Sequence, residues 1–329
     1  MPIELARRLR SGDRAAVAEA MNLVEDERPA QREMADGLLA ELEGHDESHD
    51  AGAMRVGFTG APGVGKSSLI DALVRELRRS DHSVGIIAVD PSSKKSGGAL
   101  LGDRLRVRSA SGDPGVYLRS MAARDRLGGL SGATRAGIEI LAAAFDVVIV
   151  ETVGVGQSEA EVVNLVHTLT FVTQPGTGDS VQFMKAGLIE MPDIFVVNKA
   201  DMGPAAERTQ SELLGGLGLI DAKPGAWTPP ALLASARDSV GIDAIAQALF
   251  AHRKYLEVSD TLAARLADGR TDWLLNAVME RYGSHGIEAL GGRDAVIQTL
   301  RAEAKQAVPA ILRQLSSAIE DKLRGACDR

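Results

Sequence analysis

The chain has 329 residues, 45% of them hydrophobic and only 3% aromatic, so it exceeds one minimal domain and can bury a large aliphatic core. A formal net charge of −8 argues against nucleic acid as the main partner, because a phosphate backbone demands basic surface. The single cysteine, Cys327, excludes an intramolecular disulfide and a cysteine-rich zinc site, and no run approaches the roughly 20 apolar residues that span a bilayer. The start, Met1 to Arg10, is basic without an apolar signal core, which points to a cytoplasmic protein with no membrane contact.

Residues 3 to about 44 keep helical spacing, through Ile3, Leu5 and Leu9, then Val17, Met21 and Val24, then Met34, Leu38 and Leu42. A polar, glycine-bounded linker, Gly44 to Gly52, follows; its His45 and His49 read as solvated residues rather than metal ligands. From Met54 the pattern alternates strand and helix. Apolar runs at Met54–Thr59, Val84–Asp90, Phe145–Glu151, Leu169–Thr173, Ile194–Asn198 and Ala231–Ala234 read as buried strands, with a short one at Val116–Leu118. Helical stretches between them, such as Leu69–Val74 and Thr134–Ala144, predict an α/β fold: a mostly parallel sheet flanked by helices. After Gly241 the chain reads as helical to its end, with Ile242, Ile245, Leu249 and Leu256 as one stripe. Ile311, Leu315, Ile319 and Leu323 recur at every fourth position, a stripe that favours self-association through the C-terminal helices. The expected division is a helical N-terminal extension and linker over 1–52, a nucleotide-binding domain over 53–252 and a C-terminal helical dimerisation arm over 253–329.

The strongest motif is Gly60-Ala61-Pro62-Gly63-Val64-Gly65-Lys66-Ser67-Ser68, set between a strand and a helix. That spacing and setting define a phosphate-binding P-loop: backbone N–H groups and a helix N-terminus converge on phosphate oxygens. Lys66 is expected to reach the β- and γ-phosphates and the Ser67 hydroxyl to hold Mg²⁺.

Asn198-Lys199-Ala200-Asp201 follows a later strand, and Ser235-Ala236 follows the last one. A carboxylate at Asp201 accepts bonds from both N1–H and the exocyclic amino group of guanine, a donor pair adenine lacks. Ser235 and Ala236 bring a backbone N–H towards guanine O6. The nucleotide is therefore GTP or GDP. Glu151-Thr152-Val153-Gly154 ends another strand; the Gly154 N–H suits the γ-phosphate, and Glu151 suits Mg²⁺, directly or through water. Asp90 ends its own strand, where an acid orients the attacking water or the waters of a metal. Asp103, in the glycine-rich run Gly97 to Arg104, is a further metal or hydrolytic candidate. Gln157 either positions water or begins a helix. Gln174 to Lys185 is a glycine-rich loop, either a plain connection or a nucleotide-responsive element.

Taken together, Gly60 to Ser68, Val89 to Ser93, Gly97 to Arg104, Glu151 to Glu159, Gln174 to Asp179 and Asn198 to Asp201 resemble the MeaB/ArgK family of P-loop GTPases. The likeness covers essentially the whole chain, including both helical extensions. It departs from most GTPases in having Glu, not Asp, at position 151. The resemblance implies a GTPase chaperone of adenosylcobalamin-dependent methylmalonyl-CoA mutase, one that gates cofactor loading and protects the mutase from inactivation. It also implies a dimer joined by C-terminal helices, slow intrinsic hydrolysis stimulated by the partner, and a third switch in which Asp179 and Lys185 act as relays. Two other classes remain: a small-molecule P-loop kinase, which needs no Asn-Lys-x-Asp, and a nickel-type metallochaperone GTPase, whose Cys or His clusters this chain lacks.

Overall fold

A computed structural model describes residues 2–26, 28–43, 52–90, 112–122, 132–152, 162–176, 190–218, 225–303 and 306–327. They fall into two compact units, one of residues 53–262 and one that joins residues 1–52 with residues 263–329.

The first unit is an α/β layer structure. Seven parallel strands, β1 (Met54–Thr59), β2 (Val84–Asp90), β3 (Val116–Ala122), β4 (Val147–Glu151), β5 (Thr168–Thr173), β6 (Ile194–Val197) and β7 (Ala231–Leu233), lie in the order β3-β2-β4-β1-β5-β6-β7. Each predicted strand is present. The one at Val116 is longer than expected, because it pairs with β2 over the full seven positions from Val84↔Val116 to Asp90↔Ala122. Strands β4 to β6 are buried throughout, which explains the apolar runs at residues 147–150 and at Ile194–Val197, while β5 carries buried threonines at Thr168, Thr170 and Thr173.

The first unit also carries α4 (Lys66–Arg79), α5 (Gly132–Ala142), α6 (Pro204–Leu217) and α7 (Ile242–Val258). One sheet face packs Val56, Phe58, Ile149 and Val172 against Leu69, Leu73 and Leu77 of α4 and Ile245 and Leu249 of α7. On the other, Phe171, Phe195 and Val197 meet Ala206 and Leu213 of α6, while Gly85 lies against Leu141 and Phe145 beside α5. Successive crossovers from β1 run outward to one edge and then, from β5 on, to the other. The order therefore reverses at β1, and a crevice opens beyond its carboxyl end, the place where open α/β sheets bind ligands.

Helix α7 continues through the expected boundary at 252. Its His252 is 1% exposed, with Nδ1 2.9 Å from the Thr168 hydroxyl and the ring against Trp227, so the chain there belongs to the sheet unit.

The second unit packs α1 (Pro2–Arg10), α2 (Arg14–Glu25) and α3 (Pro29–Glu43) with α8 (Leu262–Ala289), α9 (Arg293–Ala302) and α10 (Val308–Cys327). Asp13 caps α2, accepting from the N–H groups of Ala15 and Ala16 at 2.9 and 3.4 Å. Glu43 at the end of α3 accepts the N–H of Val308 at 2.8 Å, and Asp36 pairs with Arg313. The two extensions of the expected division are therefore one body. The stripe on α10 is used inside it: Ile311, Leu315 and Ile319 are buried with Leu274, Leu275, Val278, Val296 and Leu300, and only Leu323 stays exposed. That periodicity reports intrachain packing, and it no longer argues for self-association. Among the described residues, no helix is long and apolar enough to cross a membrane.

Candidate functional site

The site is built from the loops that leave the carboxyl ends of β1, β4, β6 and β7. The chain leaving β1 turns through Gly60, Gly63 and Gly65, all at positive φ (139°, 83° and 92°). Two of these positions admit no side chain. A Cβ on Gly60 would lie 2.0 Å from the Val172 carbonyl oxygen, and one on Gly65 would lie 2.5 Å from the Asn198 amide nitrogen. Gly65 is the N-cap of α4, so the loop delivers Lys66 and Ser67 as that helix's first residues. Val64 is a buried wedge beneath the loop, whereas Pro62, Gly63 and Ser68 face solvent.

Lys66 is 6% exposed, and its ammonium is held inside the loop by the carbonyls of Gly60 and Ala61, at 2.6 and 3.2 Å. The Ser67 hydroxyl donates to Glu151 Oε1 at 2.7 Å, and both residues are buried. Glu151 comes from the end of β4, which the β1–β4 register sets beside Phe58, and the Thr152 N–H continues that ladder to the Phe58 carbonyl.

Asn198 ties this loop to the next one. It is 2% exposed; its amide donates to the Val64 carbonyl at 2.8 Å, and its Oδ1 accepts the Ala236 N–H at 3.2 Å. Lys199 takes a left-handed backbone (φ 61°, ψ 41°) that is uncommon outside glycine, and its ammonium reaches the Gly63 carbonyl at 3.3 Å. The Ala200 N–H bonds the Ala234 carbonyl, pinning the loop after β6 to the end of β7. Asp201 Oδ1 then accepts the Ser235 hydroxyl at 2.9 Å. Thus Gly60 to Ser67, Glu151, Asn198, Lys199, Asp201, Ser235 and Ala236 come together at one end of the sheet.

Arg237 was not singled out by its residue type. Its guanidinium lies 3.1 Å from Asp201 Oδ2 and also bonds Asp238. Asp238 first, and Asp201 second, raise the Arg237 pKa, while the same bond holds the Asp238 carboxyl below its ordinary value. Its position directly after Ser235-Ala236 was the only signal that could have flagged it. Asp103, Gly154, Gln157, Asp179 and Lys185 lie outside the described residues, as does the side chain of Asp90, whose backbone ends β2.

The residues present fit a nucleotide and its magnesium ion. The glycine turn, its three glycines at positive φ and closed to a Cβ at Gly60 and Gly65, opens onto a helix N-terminus, the geometry that receives phosphate. Mg²⁺ takes hard oxygen ligands near 2.0–2.1 Å, so adjacent ligands lie about 2.9 Å apart in an octahedron. The Ser67 and Glu151 oxygens, 2.7 Å apart through their hydrogen bond, are close to the spacing of two adjacent ligands of one ion; the spacing sets no condition where Glu151 contacts a water of the ion instead. Among the described residues, no group of three His, Cys, Asp or Glu could hold a metal.

Comparison with known proteins agrees with this geometry. The profile of the family described as methylmalonyl Co-A mutase-associated GTPase MeaB matches residues 17–289. A Pyrococcus horikoshii protein whose name assigns it, provisionally, to the GTPases is 46% identical over 265 residues, covering 80% of this chain and 81% of that one. The mitochondrial methylmalonic aciduria type A homolog of Mus musculus is 35% identical over 283 residues, 83% of this chain and 68% of that protein. A crystal structure described as an LAO/AO transport system kinase superposes with a TM-score of 0.67 at 29% identity, covering 97% of each chain. The family match over most of the chain, on a seven-stranded parallel sheet with a glycine cradle at its switch point, places this protein in the MeaB family of P-loop GTPases.

Proposed function

We propose that this chain is a GTP-binding and GTP-hydrolysing chaperone of adenosylcobalamin-dependent methylmalonyl-CoA mutase, gating cofactor loading and protecting the mutase from inactivation. The observation that carries the nucleotide half is Asn198, which ties the phosphate loop to the base loop through Val64 and Ala236. A ligand that spans both loops has phosphates at one end and a guanine at the other. The partner half is supported by the family description and by the name of the mouse relative.

In this reading Lys66 leaves the Gly60 and Ala61 carbonyls for the β- and γ-phosphate oxygens, and the backbone N–H groups of Gly60 to Ser68 surround the phosphates. Asp201 accepts guanine N1–H and the exocyclic amino group, Lys199 lies along the base, and the Ala236 N–H meets O6. Bound Mg²⁺ supplies charge neutralisation to the phosphate oxygens, and Ser67, Glu151, Asp90 and Asp103 are the residues that hold it or its waters. Gly154 donates to the γ-phosphate, Asp90 or Gln157 orients the attacking water, and Asp179 and Lys185 relay the nucleotide state to the mutase. Intrinsic hydrolysis is slow and the mutase raises it, because phosphoryl transfer depends chiefly on positioning and electrostatics that a partner can complete. The reading includes a homodimer through the C-terminal helices and a cytoplasmic setting.

Two measurements test it. Lys66→Ala removes tight GTP binding, and wild-type protein hydrolyses GTP faster when mutase is added; turnover that ignores the mutase refutes the partner. Co-purification with mutase in GDP against a non-hydrolysable GTP analogue reads the switch directly. The description of the solved relative as a kinase favours one other reading, transfer of phosphate to a small molecule. Free phosphate as the sole phosphoryl product rejects it.

A further inference from the structure

We propose that Arg237 is a latch on the base site: its guanidinium holds the Asp201 carboxylate while guanine is absent and retreats onto Asp238 when guanine arrives. The inference deepens the reading above, since it rests on Asp201 as the acceptor for guanine.

The latch is visible in how the guanidinium is divided. One terminal nitrogen lies 3.1 Å from Asp201 Oδ2, while Nε and the other terminal nitrogen bond the two oxygens of Asp238 at 3.0 and 3.2 Å. Ser235 pins both acids, donating its hydroxyl to Asp201 Oδ1 at 2.9 Å and accepting the Asp238 N–H at 3.2 Å. The loop that carries them is closed by paired backbone bonds between Ser235 and Val240, with Ser239 in a left-handed conformation. Arg237 is thus a fork between two carboxylates, that of Asp201 held by the Ser235 hydroxyl and that of Asp238 carried on a backbone pinned by the same residue.

Guanine needs both oxygens of Asp201, one for N1–H and one for the exocyclic amino group. Oδ2 is the oxygen that Arg237 holds, and an oxygen already neutralised by a guanidinium is a weaker acceptor for a neutral donor. Release is easy by construction. Two of the three contacts already belong to Asp238, and the Arg237 side chain is 73% exposed, so the freed nitrogen returns to water. An exposed pair of this kind changes an equilibrium by a factor of roughly two to five. The latch therefore tunes guanine affinity and leaves selectivity to Asp201.

The test is association and equilibrium binding of a fluorescent GDP analogue to full-length protein at physiological ionic strength, where steering beyond about 8 Å is screened but the 3.1 Å pair with Asp201 is not. Arg237→Ala is expected to raise the association rate and lower Kd about two- to fivefold. Asp238→Ala, which leaves the arginine to Asp201 alone, moves both the other way, and the double variant follows Arg237→Ala. Simple charge steering predicts the reverse for each single variant, because losing a cation slows an anionic nucleotide and losing an anion speeds it. Weaker binding by Arg237→Ala makes the arginine a base contact and overturns the latch, and unchanged binding overturns it equally. Asp201→Asn separates the two levels. Undiminished guanine binding there sinks the base-site reading itself, whereas weakened binding beside an unresponsive Arg237→Ala sinks only the latch.

Discussion

Asn198 and Asp201 are three positions apart in one motif, yet the structure gives them different work. Asn198 is buried and satisfies two backbone groups, the Val64 carbonyl and the Ala236 N–H. Replacing it with alanine leaves both without that partner, at a cost of about 2 kcal/mol in stability. Asp201 makes partly exposed polar contacts with Ser235 and Arg237, so Asp201→Asn should leave stability within about 0.5 kcal/mol and, on the proposed reading, weaken guanine binding. Denaturant unfolding without nucleotide, run beside guanine titrations, separates them; equal stability losses in both would remove the distinction. Gly60 supplies a sharper test of the loop. Its φ of 139° and the Val172 carbonyl 2.0 Å from any Cβ make Gly60→Ala a backbone clash as well as a strained conformation. The expected loss is at least about 2 kcal/mol, together with loss of phosphate binding.

At the scale of elements, the strands were legible because buried parallel strands must be apolar on both faces, and the P-loop because its glycines have no substitute. The partition of the helices was not legible. A four-residue stripe records that one face of α10 is buried but not what buries it, and Leu274, Val278 and Leu300 turn out to cover Ile311, Leu315 and Ile319. Nor did anything in residue type show that Arg237 would reach Asp201, since that contact depends on how the loops after β6 and β7 fold together. Ile319→Ala should therefore destabilise the helical unit by about 2–5 kcal/mol, the cost of a core cavity, where an interface residue would alter only dimer affinity. Both ends of α2 carry a pH dependence, through the caps Asp13 and Asp26. Arg8 holds the Asp13 carboxyl below its ordinary value, and Arg28 holds that of Asp26 down at about 2. A carboxylate with a depressed folded pKa stabilises the fold above its unfolded pKa, and that contribution is lost as pH falls through the folded value. Unfolding curves taken downward from pH 5 should show the helical unit weakening, with a smaller slope in Asp13→Ala.

At the scale of the whole molecule, the chain enters and leaves through the same helical unit, with the nucleotide-binding unit between. This changes how self-association must be tested. A chain ended near His252 would cut α7 at a residue buried against Thr168 and Trp227, so loss of the dimer there would report damage to the sheet unit. Removing residues 1–52 is the cleaner perturbation, because it deletes α1 to α3 and leaves the first unit whole. It takes away Glu43, which accepts the first N–H of α10, and Asp36, which pairs with Arg313. It also uncovers the α10 surface against which α3 packs, although more than 250 residues separate the bonded partners in sequence, as in Glu43 to Val308. Hydrogen exchange on the shortened protein should show amides of α10 losing protection while those of β1 and β5 keep theirs, with GDP binding retained. If α10 stays as protected as in the full chain, the two ends are independent bodies after all. Light scattering on the same protein then reads the dimer proposal. Helices that need α1 to α3 to hold their shape should lose any self-association along with them, whereas an unchanged dimer would place its interface on surfaces that owe nothing to the N-terminal helices.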